Sequence, residues 1–223
     1  MNNAKCLSCG LVNFAGLGAC RRCGGALGAA VCFSTHGSVE TSAPRRGLLK
    51  RAAAVCGATA LVLSVFYVSL LVSSEPLSFE QKLTVERAVA HVERSGLARD
   101  AFFLRRLTSF RATDNWWNRW FGHQDAYAAT NFPFEVVTLY PDFFDLTTDD
   151  TERAAVLLHE ARHLRGAGEE EAFASVWRDK EKLGWTRAAY ARTPVFRNVH
   201  ELTLRYAPSL FACGPERSAD CVK

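Results

Sequence analysis

Hydrophobic and polar positions divide the chain into stretches with different periodicities. Residues 52–74 carry no charge, and their core, residues 58–72, is almost wholly apolar. At about 1.5 Å per residue, a helix of that length crosses a hydrocarbon layer of about 30 Å. It lacks the polar stripe that a surface helix keeps toward water. Residues 78–94 follow with a helical period that includes Leu83, Ala90 and Val92. Residues 135–140 have the β-branched and aromatic content of a strand. A second helix opens near Thr147 or Thr148, either of which can cap it, with Asp149, Asp150 and Glu152 at the positive end of its dipole. An apolar run over residues 154–158 carries it forward. Gly166 and Gly168 interrupt the pattern, and Glu169-Glu170-Glu171-Ala172-Phe173 starts another helix. Beyond the apolar span, residues 75–223 therefore read as one α+β domain.

Charge adds an orientation. Residues 1–51 hold seven Lys/Arg and one Asp/Glu, a net of +6, whereas the other 172 residues hold 20 and 22, a net of −2. Arg45, Arg46, Lys50 and Arg51 lie just before the span, and the nearest basic residues beyond it are Lys82 and Arg87. The excess of basic residues on the first side predicts a cytoplasmic N-terminus, with residues 75–223 outside the cell membrane, in the periplasm or beyond. The expected location is a cell inner membrane crossed once. About 50 residues precede the span, far more than the basic leader of a cleaved signal peptide.

The cysteines agree with two compartments. Cys6, Cys9, Cys20 and Cys23 form two CxxC pairs, each followed by a glycine, with ten residues between the pairs. Four thiolates in tetrahedral array suit a closed structural Zn²⁺ site, with iron as the competing metal. A reducing compartment keeps such thiols free for metal. Cys213 and Cys221, on the oxidising side, are expected to close a disulfide loop. Residues 1–25 are thus expected to form a small zinc ribbon or finger. Residues 26–51, with their glycines, serines and basic end, are expected to be a flexible linker. Around Cys9, Asn13 and Cys20 the spacing resembles the zinc finger of the Ran-binding nucleoporin type. That resemblance implies a cytoplasmic protein or RNA as its partner.

The chemistry-bearing motif is His159-Glu160-Ala161-Arg162-His163. Residues i and i+4 of a helix project from one face, so both imidazoles can hold one Zn²⁺. Glu160 lies one step round, where it can act as general base without being a ligand. A third ligand would leave one position open for substrate. The helix break at residues 164–168 lets the chain double back and offer Glu171 or Glu169.

On residues 136–177 the outer domain resembles the zincin metallopeptidases, and its ligand set resembles the gluzincin branch. Glu171-Ala172 resembles the Glu-Ala ligand segment of gluzincins, so Glu171 is the preferred third ligand. Glu169 is the alternative, at the spacing metzincins use; those enzymes need a methionine turn, and the only methionine here is Met1. The resemblance implies a zinc peptidase acting on peptide or protein outside the membrane. It also implies that the strand at residues 135–140 runs along the cleft and pairs with extended substrate. Tyr190, His200 and Tyr206 are the candidates for stabilising the oxyanion. A non-catalytic membrane receptor or scaffold with a zincin-like binding domain is the alternative reading; Glu160 favours the enzyme. Finally, Trp116, Trp117, Trp120 and Phe121 would share one face of a helix, docked on the membrane interface or packed into the core or cleft wall. No glycine loop for nucleotide, no Ser-His-Asp arrangement and no repeat is present.

The topology is tested with reporter fusions at both ends. An enzyme active only outside the cytoplasm should work when fused after Lys223 and fail when fused before Asn2. The reverse result would invert the orientation.

Overall fold

The computed structural model describes residues 3–14, 16–27, 45–121, 127–213 and 220–222. By contact density it divides into two units, Met1–Ala54 and Val55–Lys223. Most of the expected linker, residues 28–44 with Cys32, lies outside the described residues, as do residues 214–219 of the C-terminal loop.

The first unit holds a two-stranded antiparallel ribbon, β1 (Ala4–Lys5) and β2 (Val12–Asn13). Each CxxC turn closes on the glycine after it. Gly10 and Gly24 have φ of +74° and +67°, and their N–H groups donate to the Cys6 and Cys20 carbonyls at 2.8 and 2.9 Å. Only glycine adopts this left-handed conformation without steric cost.

A long helix, α1 (Arg45–Val72), comes next. Within it Gly47–Val72 is long and apolar enough to cross a membrane. The helix starts ahead of the charge-free stretch, so the basic residues expected to end the linker are helical instead. It stops at Val72, where Ser73 and Ser74 bond back to the carbonyls of Ser69 and Leu70.

In the second unit, α2 (Phe79–Arg94) opens with a capping box. The Gln81 N–H donates to Ser78 Oγ at 3.2 Å, and the Ser78 N–H donates to Gln81 Oε1 at 2.9 Å. Its buried face is Val85, Ala88, Val89 and Val92. Leu83, expected on that face, is instead exposed, because the i, i+3, i+4, i+7 stripe starts two residues later. Helix α3 (Ala98–Phe102) runs into a π turn at Phe103–Leu107, and then come β3 (Ser109–Arg111) and α4 (Trp116–Phe121). Strands β4 (Ala128–Asn131) and β5 (Val136–Leu139) complete a three-stranded sheet in the order β3-β5-β4. β3 is parallel to β5, and β4 is antiparallel to it.

The remainder is helical: α5 (Pro141–Asp145), α6 (Asp150–His163), α7 (Glu169–Asp179), α8 (Arg187–Tyr190) and α9 (Pro194–Tyr206), with a 3₁₀ turn at Pro208–Phe211. Asp149, not Thr147 or Thr148, caps α6; its carboxylate accepts from the N–H groups of Thr151 and Glu152 at 2.9 and 3.0 Å. The threonines have other partners. Thr147 donates to the Phe143 carbonyl, and Thr148 donates through its N–H and its hydroxyl to Glu152. The expected Cys213–Cys221 disulfide is present.

Helix α6 lies at the centre, packed between α2 and α7 and against β4. Ala154, Ala155, Leu157, Leu158 and Ala161 are at most 1% exposed. Ion pairs fix it lengthwise. Arg162 reaches Asp100 at 3.2 Å and Asp179 at 3.0 Å, while Arg165 holds the other oxygen of Asp100 at 3.0 Å. The Asp100 carboxylate is almost fully buried between the two guanidinium groups. Neutralising it leaves two partly buried cations short of a partner. Asp100→Asn should therefore lower stability by about 2–4 kcal/mol, measured by denaturant unfolding of the full chain in detergent. A loss below about 0.5 kcal/mol, the scale of an exposed pair, would mean that the cluster does not secure α6.

Candidate metal centres and cleft

Among the described residues, two groups of side chains have the chemistry of metal ligands, one in each unit. In the first unit, Cys6, Cys9, Cys20 and Cys23 converge, with Sγ atoms 3.6 Å apart for Cys6–Cys23 and 3.5 Å for Cys9–Cys20. Thiolates about 2.3 Å from one tetrahedral ion are about 3.8 Å apart, so the four sulfurs sit close to that spacing. Asn13 supports the group from β2. Its amide donates to Cys20 Sγ at 3.5 Å, and its Oδ1 accepts from the Arg21 N–H at 3.1 Å. Backbone N–H groups, that of Arg22 foremost and then that of Cys23, favour the thiolate of Cys20 and push its pKa down to about 6. The cluster could hold a metal ion, as the two CxxC pairs suggested.

In the second unit, the last turn of α6 presents His159 and His163 to a cleft of about 690 Å³. Their Nε2 atoms are 3.0 Å apart. His163 Nδ1 donates to the Ala167 carbonyl at 2.9 Å, which fixes the ring with Nε2 turned toward His159 and Glu169. That carbonyl is supplied by the same turn that reverses the chain. Gly166, at φ +84°, follows the helix C-terminus, and its N–H closes on the His163 carbonyl at 2.8 Å. Gly168 then begins α7 with an extended backbone.

The reversal brings Glu169 to the imidazoles. Its Oε2 lies 3.4 Å from His159 Nε2 and its Oε1 lies 3.5 Å from His163 Nε2. Ligands about 2.0–2.1 Å from a tetrahedral ion are about 3.4 Å apart, so these separations suit one ion. Glu171, the preferred third ligand on sequence, is exposed on α7 and does not join the group. At the start of a helix, residues two apart point in directions about 200° different, so only one of the two can face the histidines. The three groups also reinforce one another electrically. Hydrogen bonding to His159, and then to His163, holds the Glu169 carboxyl well below the usual carboxylate range. Burial works against charge on His163, but Glu169, Glu160 and the Ala167 carbonyl outweigh it and hold its pKa up at about 9.

Glu160 faces the same cleft and is 4% exposed. Its Oε2 accepts a 2.6 Å hydrogen bond from Thr130 of β4. Thr130 carries no local sequence signal; its role depends on β4 lying against α6. The strand expected along the cleft was residues 135–140. That expectation is corrected: β5 is the central strand, buried on both faces, with its hydrogen bonds taken by β3 and β4. β4 lines the cleft through Ala128, Ala129 and Thr130, and among the described residues β5 is its one partner in the sheet.

The opposite wall comes from α7 and α9. Phe173 packs on His159 at 4.2 Å between ring centroids, and Tyr206 stacks on Phe173 at 5.4 Å. Of the three candidate oxyanion donors, Tyr206 lines the cleft. Tyr190 instead donates to Asp149 at 2.6 Å, beside the start of α6. His200 lies in an aromatic cluster, its ring 5.3 Å from Trp177 and 5.1 Å from Phe211. Arg205 and Asn198 also line the cleft, positions the sequence did not single out.

The aromatic segment divides. Trp116 and Trp117 pack edge-on against Phe66 of α1, at 5.4 and 5.5 Å, while Trp120 is 80% exposed. A buried asparagine network ties α4 to the sheet. Asn115 donates to Asn131, Asn131 donates to Asn118, both at 2.7 Å, and Asn118 donates to Thr138 at 3.2 Å.

Compared with known proteins, the chain matches no family model, no curated protein and no solved structure.

The ligand geometry generates a metal-binding test. Zinc titration with a competing chelator should show two ions bound per full chain. Cys6→Ser with Cys9→Ser should remove one, and Glu169→Ala should weaken the other by at least tenfold, whereas Glu171→Ala should leave both. Loss of zinc with Glu171→Ala and retention with Glu169→Ala would restore the gluzincin-like assignment.

Proposed function

We propose that this chain is a membrane-anchored zinc-dependent hydrolase, a peptidase of zincin-like α+β construction, with its catalytic domain on the outer side of a cell inner membrane. One observation carries the reading. Two imidazoles and a carboxylate, at the mutual spacing of ligands on one tetrahedral ion, meet in a cleft beside a second, hydrogen-bonded carboxylate on the same helix. A pure binding domain has no need of that second carboxylate.

His159, His163 and Glu169 are the assigned ligands, and a two-histidine, one-carboxylate set suits catalytic zinc. Bound there, the ion would supply Lewis acidity toward a substrate carbonyl and toward water. The protein's own groups do the rest. Extended substrate lies along the outer edge of β4, which supplies main-chain partners. Glu160, aimed by Thr130, takes the proton of the attacking water and returns it to the leaving amine. Of the three candidate donors, Tyr206 is the one in the cleft, where its hydroxyl can donate to the carbonyl oxygen as charge develops there. The ligand set is mixed: the carboxylate resembles the gluzincin ligand, but it stands at the metzincin spacing and has no methionine turn. The first unit is assigned a structural zinc and a cytoplasmic protein or RNA as its partner.

Glu160→Gln separates enzyme from receptor. It keeps the side chain's size and its hydrogen bond to Thr130, so zinc and fold should be retained. Cleavage of a peptide library by the full chain in detergent should fall by about 10²-fold or more, the scale of losing a general base. Identical cleavage by wild type and Glu160→Gln, with zinc confirmed in both, would replace the peptidase by the receptor or scaffold reading.

A further inference from the structure

A second cavity, of about 430 Å³, is lined by Phe66, Leu70, Trp117, Thr130, Asn131, Phe132 and Phe134. It adjoins the cleft that holds His159 and Glu160, because Thr130 and Phe132 line both. Among the described residues, none of the seven that line it is charged. Its most polar side chain, Asn131, is already engaged with Asn115 and Asn118. The described lining therefore suits apolar groups.

Its position along α1 is informative. Residues 55–65 are exposed on every side, and the helix first meets the rest of the unit at Phe66, where Trp116, Trp117 and Phe134 pack on that ring. Leu70 is completely buried there. A hydrocarbon layer about 30 Å thick takes about 20 helical residues, so counted from Arg51 it ends near Leu71. Leu70 thus stands at the boundary between the bilayer and water, and Phe66 about one helical turn inside it. Trp116, Trp117 and the exposed Trp120 cluster at the same level, the depth tryptophan favours. The route from that boundary to Glu160 is short. From Phe132 to Thr130 is two residues of extended chain, about 7 Å.

We propose that the substrates of this cleft are proteins anchored in the same membrane, cut in the segment that emerges from it. The apolar residues that leave the bilayer fill the cavity against Phe66 and Leu70, and the residues after them run along β4 to the metal ligands. Cleavage falls within a few residues of the membrane surface, because that path is short. This rests on the peptidase reading of the same site and adds the substrate's anchoring and the position of the cut.

The test co-reconstitutes the full chain in phosphatidylcholine vesicles with a randomised ten-residue segment in three forms. One is fused directly to a transmembrane helix, one is fused through a further 20-residue Gly/Ser spacer, and one is free in solution. Direct fusion should be cut at least tenfold faster than either other form. Simple tethering would leave the spaced form nearly as fast, because effective concentration falls slowly with linker length. Phe134→Asp puts a charge into the cavity away from the metal cleft. It should abolish the preference while the free peptide is still cut, and Phe134→Leu should restore it. Equal rates for the direct and spaced forms, or a preference unchanged in Phe134→Asp because lipid alone fills the cavity, would overturn the proposal and leave the peptidase reading standing. If Phe134→Asp does not fold, the spacer comparison in wild type decides. Cleavage that Glu160→Gln reproduces would overturn both.

Discussion

Helix α6 must satisfy two opposed demands, and the second unit is arranged around that constraint. One side of the helix is sealed in the apolar core by Ala154, Leu157, Leu158 and Ala161. The other side carries two imidazoles and a carboxylate into an open cleft. Two polar devices hold it between these surroundings. At its start, Glu152 is fully buried yet bonded by Thr148 and Thr193, and Asp149 caps the first turn. At its end, Arg162 and Arg165 clasp Asp100, and Arg162 also reaches Asp179. Arg162 lies inside the HExxH motif itself, so a residue between the two histidines also locks their helix to α3 and α7.

The meeting of His159, His163 and Glu169 depends on the reversal at the C-terminal end of that helix. The left-handed Gly166 turns the chain within five residues, and the turn performs two tasks at once. It presents the Ala167 carbonyl that fixes the ring of His163, and it delivers Glu169 to the far side of both imidazoles. A side chain at position 166 would force a backbone conformation that L residues rarely adopt, and both tasks would suffer together.

Strand β4 performs an equally compact set of tasks. Thr130 orients Glu160, Asn131 joins the asparagine network that carries α4, and the strand stands between the cleft and the cavity at α1. The chemistry of the cleft and the aromatic packing on the membrane-length helix are therefore coupled through four residues of backbone.

Much of this was legible in the chain. The apolar length of α1, the helical period of α2, the two cysteine pairs with their glycines and the HExxH face of α6 are local features. Each is set by residues within one or two turns of one another, so sequence spacing determines them through helical and turn geometry. Sequence spacing also narrowed the third ligand to Glu169 or Glu171. The resemblance then preferred Glu171, whereas the fold brings Glu169 to the histidines, because the outcome depends on where the chain goes after Gly166, a matter of backbone torsion and of α7 packing on α6. The same holds for Thr130 and Glu160, 30 residues apart, and for the central position of β5, which results from strand pairing across the whole sheet. It holds again for Tyr206, which lines the cleft while His200 of the same helix faces an aromatic cluster and Tyr190 of α8 bonds to Asp149. Local chemistry fixed which groups were available; only the long-range packing of α6, α7, α9 and β4 decided which of them meet.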